Sequence, residues 1–265
     1  MIEIRRYTPE DAAEWNNFIW LKSRQGTFLF DRNYMDYHQD RFHDHSLMFF
    51  HKRKLYALLP ANEVTVSAQD GDEAGTTKKI LYSHQGLTYG GLLTCPKVTA
   101  EVCIDIFESL REYLRENGFQ SCIYKAMPWI YQRIPSEEDL YALTHVAKAK
   151  LKAREISTTI PLDAPLRFSE LRRRGIKKAE RNELDVKFTK FPNDITAFWN
   201  LLDANLLERH HTHPVHSKEE LELLMHRFPD NILCFVAEKD DAIVGGSIVS
   251  VSYTHLRAHE TLMNL

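Results

Sequence analysis

Apolar residues in the first half of the chain recur in short runs, broken by one long amphipathic stretch. IEIRRY (2–7) alternates apolar and polar positions like a strand, and Thr8 with Pro9 gives the start signal of a helix. Four later apolar runs predict strands: SLMFFHKR, LYALLPANEV, LYSHQGLTYGGLLT with its glycine pair, and SCIYKAMPWIY. Between the last two, Thr99 caps a predicted amphipathic helix that ends at Asn117-Gly118.

The pattern starts again near Leu166. A basic helix (168–182), a strand (185–191) and two helices (195–210 and 218–228) lead into a hairpin that turns at Asp240-Asp241. A strand, two helices and a hairpin also open the chain, and Trp15 and Trp199 occupy matching places. The sequence therefore predicts a duplicated α/β (α+β) unit with mixed, mostly antiparallel sheets flanked by helices. We expect a first domain at 1–163 and a second, incomplete one at 164–250.

Composition narrows the class of protein. The 265 residues carry a formal net charge of −3, which gives no general attraction to DNA. The four cysteines lack the spacing of a zinc site or a disulfide framework, and we expect no bound metal. The N-terminus lacks the apolar core of a secretory signal, and no apolar stretch is long enough to span a membrane. The sequence thus predicts a cytoplasmic protein.

The last fifteen residues break the apolar pattern. VSYTHLRAHET (251–261) is also the one-frame translation of a widely used transposon sequencing adaptor. We therefore expect 251–265 to be a non-native tail and the second domain to be truncated near Ser250. A genuine polar tail is the alternative.

Three stretches carry a resemblance to a known family: GLTYGGLL (86–93), RRRGIKKAERN (172–182) and LLERHHTHPVHSKEEL (206–221). With the element order, they resemble tandem GCN5-related N-acetyltransferase (GNAT) proteins, the FemAB/FemX aminoacyltransferases and the BioF2-like acetyltransferases. The resemblance implies an N-acyltransferase that moves an acyl group from acyl-CoA to a small-molecule or cell-wall-precursor amine. An aminoacyl-tRNA-dependent transferase and a non-catalytic module that binds an anionic ligand are the alternatives.

The resemblance also places the site. The family's glycine-rich carrier loop corresponds to LLTCPKVTAEV (92–102), which has no glycine, so we expect no cofactor-binding residues here. Arg209, His210, His213 and His216 are the candidate acceptor-binding residues; Arg209 suits an anionic group on the acceptor, or only complements the helix dipole. The histidines lack the spacing of a zinc site, and one of them suits a general base.

Two further stretches have more than one interpretation. Tyr89, Gly90 and Gly91 are candidates for a close backbone approach to the acceptor, or form a bulge needed for packing. The basic helix after Leu166 is a solvated face, or contacts phosphates in the tRNA-dependent alternative. The sequence assigns no catalytic residue.

Overall fold

We describe the protein from a computed structural model, which covers residues 2–67, 77–156, 166–252 and 255–257. The chain forms two compact units, Met1–Glu155 and Ile156–Leu265. The boundary predicted at residue 163 lies outside the described residues. Within the described ranges, no helix is long and apolar enough to cross a membrane.

The first unit contains eight strands and four α-helices within its described residues. The strands are β1 (Ile2–Arg6), β2 (His43–Asp44), β3 (Leu47–His51), β4 (Lys54–Leu59), β5 (Asn62–Ser67), β6 (Thr77–Tyr82), β7 (Leu93–Thr94) and β8 (Ser121–Ile123). The helices are α1 (Ala12–Leu21), α2 (Arg32–Met35), α3 (Ala100–Glu116) and α4 (Glu138–His145).

One sheet of this unit has the order β1-β3-β4-β7, and all its neighbours are antiparallel. Lys52 and Arg53 form the turn between β3 and β4 in the left-handed conformation, which fits the twist of a tight hairpin. The fully buried side chains of Trp15, Phe18 and Phe49 form part of the core. The antiparallel pairing of β3 with β4 confirms the hairpin predicted from SLMFFHKR and LYALLPANEV.

The second sheet has the order β2-β5-β6-β8, in which β6 and β8 are parallel and α3 lies between them in the chain. The single strand expected for LYALLPANEV is wrong. Pro60 has no backbone N–H to donate to a ladder, and the chain leaves β4 there to enter the other sheet as β5. Only 121–123 of SCIYKAMPWIY form a strand.

The second unit contains α5 (Glu170–Arg181), β9 (Asp185–Thr189), α6 (Pro192–His210), α7 (Lys218–Arg227), β10 (Ile232–Lys239), β11 (Ala242–Ser252) and β12 (His255–Arg257). Its sheet has the order β12-β11-β10-β9 and is antiparallel throughout. Cys234 and Val236 on β10 are buried, as are Phe198 of α6 and Leu224 of α7. Alternate residues of β10 thus supply the core.

The first strand of each unit pairs in the same way. β1 pairs antiparallel with β3, and β9 pairs antiparallel with β10, with a helix pair between the strands in each case. The tryptophans, however, are not equivalent in packing: Trp15 is fully buried, whereas Trp199 is half-buried and its neighbour Phe198 enters the core. The duplication stays a prediction. So does the non-native tail, most of which lies outside the described residues.

Gly246 on β11 gives a test of the packing in the second unit. A Cβ there would lie 2.6 Å from Cδ2 of Phe198 and 2.8 Å from the backbone oxygen of Phe235. We expect Gly246→Ala to lower the free energy of unfolding by about 1–3 kcal/mol through overpacking. Urea denaturation measures this change.

Gly175 of α5 provides the matched control, because a Cβ added there meets no atom of the described chain within 4 Å. Gly175→Ala should leave stability unchanged or raise it by up to about 1 kcal/mol, since alanine favours the helix. Equal effects of the two substitutions would contradict the packing described for Gly246.

Candidate functional site

The predicted acceptor-binding residues of the second unit lie where α6 ends. Arg209 and His210 occupy its last turn, and His211 ends it in the left-handed conformation, with a φ of 52°. His213 and His216 follow in the connection to α7, and all these side chains are exposed. The break at His211 thus turns the chain out of the helix and puts the imidazoles on the surface of this unit.

Carboxylates of the same unit hold two of these imidazoles. His213 Nδ1 lies 2.7 Å from Asp203 Oδ1 of α6, and His216 Nδ1 lies 3.5 Å from Glu220 Oε2. Glu220 also forms a capping box with Ser217 at the start of α7. In the described part of the chain, no group of three or more histidine, cysteine, aspartate or glutamate side chains could hold a metal ion.

Tyr89, Gly90 and Gly91 belong to the first unit and do not form the strand expected from the sequence. Tyr89 is buried and stacks on Tyr131, with 5.4 Å between ring centroids. A Cβ on Gly90 would lie 1.8 Å from the backbone oxygen of Ser83, and Gly91 has a φ of +87°. Glycine at these two positions therefore allows a close approach of the backbone at Gly90 and a positive φ at Gly91.

Tyr124 and Lys125 fix this glycine segment from the other side. The Tyr124 hydroxyl accepts a hydrogen bond from the backbone N–H of Leu92 at 2.6 Å and donates one to Asp139 at 2.5 Å. The backbone N–H of Gly90 donates to the carbonyl of Lys125. The backbone N–H groups of Gly90 and Leu92 are therefore bonded within the unit.

The start of α3 is where the resemblance would put the carrier loop. The guanidinium of Arg24 donates from Nη2 to the carbonyls of Pro96 (3.1 Å) and Val98 (2.8 Å). Its Nη1 donates to Glu138 at 2.8 Å. Phosphate binding at a helix start needs N–H groups turned outward. Here the preceding loop turns carbonyls toward a cation instead, which agrees with the absence of glycine from 92–102.

Sequence reasoning missed a buried cationic cluster in the first unit. Arg32 is 2% exposed, and its guanidinium carbon lies 3.3 Å from the ring centroid of Tyr7 and 4.1 Å from that of Trp15. Nη1 pairs with Asp44 at 2.8 Å and with Asp36 at 3.3 Å. Except for Asp36, which lies four residues after Arg32, the partners of Arg32 are 12 or more residues away in the sequence, so no local motif marks the cluster.

The two carboxylates respond differently to Arg32. Burial would raise the pKa of Asp44, but the attraction of Arg32 and hydrogen bonds from Arg32 and Ser46 hold it below its ordinary value. Burial raises the pKa of Asp36 despite the same cation. Burial also raises the pKa of Tyr7 to about 12. Arg32 and Asp44 thus form the principal ion pair of the cluster.

A pair of buried histidines lies near this cluster. The rings of His38 and His84 stack at a centroid distance of 5.7 Å, and Phe42 packs against both. His84 has a φ of 63°, and its Nδ1 has no hydrogen-bond partner among the described residues. Burial lowers the pKa of His84 from its ordinary 6.5 to about 3. His84 is therefore neutral at physiological pH.

A second polar network joins His43 and His45 to the carboxylate of Glu63. Glu63 Oε1 lies 2.9 Å from His43 Nδ1, and Oε2 lies 2.7 Å from His45 Nδ1 and 3.1 Å from Lys79 Nζ. The other nitrogen of His45 lies 2.9 Å from the hydroxyl of Tyr113 on α3. Because β2, β5, β6 and α3 each supply a member, the network holds the second sheet to the helix.

No family model matches the chain, and neither does any curated protein sequence. Among solved structures, FemX is similar over 89% of this chain and 57% of its own length, with 10% identity and a TM-score of 0.53. The aminoglycoside acetyltransferase AAC(6')-Ih from Acinetobacter baumannii matches 60% of this chain and 97% of its own, at 8% identity and a TM-score of 0.33. AAC(6')-Iy, solved with CoA, covers 60% and 93% at 10% identity and a TM-score of 0.33.

The chain therefore has a FemX-like fold, and the predicted α/β (α+β) class with mostly antiparallel sheets flanked by helices is confirmed. The likeness to FemX shows the fold alone because the identity is low. The two acetyltransferase matches have TM-scores too low to support an argument. The chain spans 57% of the length of FemX.

His84 gives a test of the buried histidine pair. The unfolded chain protonates this residue near pH 6.5 and the folded one only near pH 3, so folding stability falls as the pH drops through this window. Asparagine is short and tolerates the left-handed conformation. Through His84, the parent protein should lose about 2 kcal/mol of folding stability between pH 8 and pH 5. His84→Asn should lack this part of the loss. Urea denaturation at both pH values measures this.

His210→Asn is the control, because His210 is exposed. It should keep the pH dependence of the parent protein. An unchanged pH dependence in His84→Asn would show that His84 is not held neutral by burial.

Proposed function

We propose that the protein is an N-acyltransferase that moves an acyl group from acyl-CoA to an amine acceptor. The FemX-like fold, which extends over 89% of the chain, is the observation that carries this proposal. It agrees with the tandem GNAT resemblance of the sequence, which implies this reaction. The acceptor is a small-molecule or cell-wall-precursor amine, and the reaction takes place in the cytoplasm.

In this proposal the segment after α6 binds the acceptor. The exposed guanidinium of Arg209 offers a forked, permanently charged donor for a phosphate or carboxylate on the acceptor. His210, His213 and His216 follow it in the sequence and supply further hydrogen bonds to the acceptor. Tyr89, Gly90 and Gly91 are proposed to have a supporting role, because Tyr89 is buried and the backbone N–H of Gly90 is bonded to Lys125.

His213 is the histidine best suited to a general base. A carboxylate accepts only from a protonated nitrogen, so Asp203 at 2.7 Å fixes the proton of the neutral ring on Nδ1. The lone pair then lies on Nε2, which can take a proton from the acceptor's ammonium group before attack, or from the neutral amine as it attacks the acyl carbon. Asp203 orients the ring and stabilises the imidazolium that results.

The donor is proposed to be acyl-CoA. Since Arg24 faces the carbonyls before α3, the first unit offers no phosphate cradle at that helix start. We propose that the second domain of the natural protein supplies the cradle. The expected truncation near Ser250 stays a prediction, as does the aminoacyl-tRNA-dependent alternative.

A non-catalytic module that binds an anionic ligand is the second candidate function. The contacts of Arg24 favour it, because the segment in the place of the first carrier loop turns two carbonyls to this cation. The two candidates differ in a single measurable property. A transferase releases free CoA thiol from acetyl-CoA only when an amine is present, whereas a binding module releases none.

Arg209→Ala tests the acceptor-binding role. The gene is first resequenced from unfragmented DNA, and the protein that it encodes is expressed. Thiol release is then measured with acetyl-CoA and a panel of primary amines. We expect Arg209→Ala to raise the acceptor KM about 10- to 100-fold, as losing a hydrogen bond to a charged group does, with a smaller effect on kcat.

Arg227→Ala is the matched control, because Arg227 also lies exposed in the last turn of a helix. It should leave the acceptor KM unchanged. If Arg209→Ala lowers stability and leaves KM alone, Arg209 only complements the helix dipole. Absence of amine-dependent thiol release with every amine would reject acetyl transfer, and labelled aminoacyl-tRNA would then test the remaining transferase.

A further inference from the structure

The second unit begins with a segment whose charge contrasts with the rest of the chain. We call Leu166–Glu183 the basic segment; it carries seven arginine and lysine side chains against three glutamates. Its net charge of +4 stands within a chain of net charge −3. The positive charge is therefore concentrated on α5 and the few residues before it.

α5 is well formed by its own local interactions. The side chain of Ser169 caps its start, and Glu170 pairs with Arg173 at 2.7 Å and with Arg174 at 3.2 Å. Asn182 donates to the carbonyl of Lys178 at the other end. Such caps and pairs stabilise a helix without tertiary packing.

The apolar side chains of the basic segment are unusually exposed. Leu166 is 83% exposed, Phe168 67%, Leu171 79% and Ile176 44%. Helical spacing puts Leu171, Gly175, Ile176 and Ala179 on one side of α5. None of the residues of α5 is buried. This apolar side is thus left open by the described part of the chain.

The opposite side of α5 carries most of its cations: Arg173, Arg174, Lys177 and Arg181. Arg172 lies on the apolar side and Lys178 lies at its edge beside Leu171, where a long side chain can turn its charged end toward water or a headgroup. A helix with a basic face, an apolar face and an adjacent phenylalanine has the chemistry of segments that lie in a membrane interface.

We propose that the basic segment docks the protein on an anionic membrane surface. Leu166, Phe168 and Leu171 enter the boundary between headgroups and acyl chains, and the lysines and arginines pair with lipid phosphates. Charge complementarity identifies the partner as anionic, and the exposed apolar side identifies it as a surface with an apolar interior. RNA would use the cations but would leave Phe168 and Leu171 in water. This inference is independent of acyl transfer.

Sedimentation with vesicles tests the proposal on the whole chain. We expect the protein to bind phosphatidylcholine vesicles that contain about 30 mol % phosphatidylglycerol. Binding to pure phosphatidylcholine vesicles should be at least about tenfold weaker. Phe168→Ser with Leu171→Ser removes apolar area, and Arg173→Gln with Lys177→Gln and Arg181→Gln removes charge. Each set should weaken binding to the anionic vesicles about tenfold or more.

Matched controls change the same residue types elsewhere. Leu21→Ser with Leu151→Ser alters two leucines that are 76% and 75% exposed. Lys52→Gln, Arg53→Gln and Lys54→Gln remove three exposed cations from the turn between β3 and β4. Both controls should bind the anionic vesicles as the parent protein does. Because all substituted residues are exposed, urea denaturation should show stability changes of less than about 0.5 kcal/mol for each substitution, including Arg173→Gln, which removes one exposed helix ion pair.

Three outcomes would overturn the proposal. The first is no binding to the anionic vesicles. The second is a result in which the charge variant loses binding to the anionic vesicles and the apolar variant keeps it. If the two variants then show the same pattern of binding to a tRNA, the segment is an RNA contact. The third is a dimer in lipid-free sedimentation velocity that the apolar variant dissociates, which would make a second copy the occupant.

Discussion

The buried guanidinium of Arg32 is the constraint around which the first unit is built. It lies between the rings of Tyr7 and Trp15 and pairs with Asp44, so the end of β1, α1, α2 and β2 meet at one charge. Two of its nitrogens have no hydrogen-bond acceptor in the described chain, and the faces of the aromatic rings compensate for this. A buried cation without partners costs several kcal/mol, so these elements are held together by the need to keep it paired.

The polar side chains of the first unit share a further property with this cluster. Its titratable groups are engaged in packing: burial keeps His84 neutral, Glu63 is shared by three basic side chains, and Arg24 takes up the carbonyls before α3. Groups that already hold partners inside a unit are poorly placed to bind a substrate. The segment after α6 differs in exposure, since Arg209, His210, His213 and His216 are all exposed at the end of a long helix.

The amphipathic patterns of the chain predicted its local structure well. The capping signal at Thr99, the hairpin turn at Asp240-Asp241 and the helix end at Asn117 all recur in the structure, because each depends on neighbours within a few residues. The long strand expected across Pro60 and the strand expected at Tyr89 were wrong. In both cases a long-range contact decides the outcome: a second sheet receives the chain after Pro60, and Ser83 and Tyr124 pack against the glycines.

The sequence by itself therefore determined the element types, the restart of the pattern near Leu166 and the candidate segment after α6, since all three are written in residues close together in the chain. Tertiary structure alone decided which polar residues are buried. Arg32 and His84 carry no local signature, and their roles arise because folding removes them from water and packs each against rings many residues away. Burial is a property of the whole packed unit, and no window of the sequence contains it.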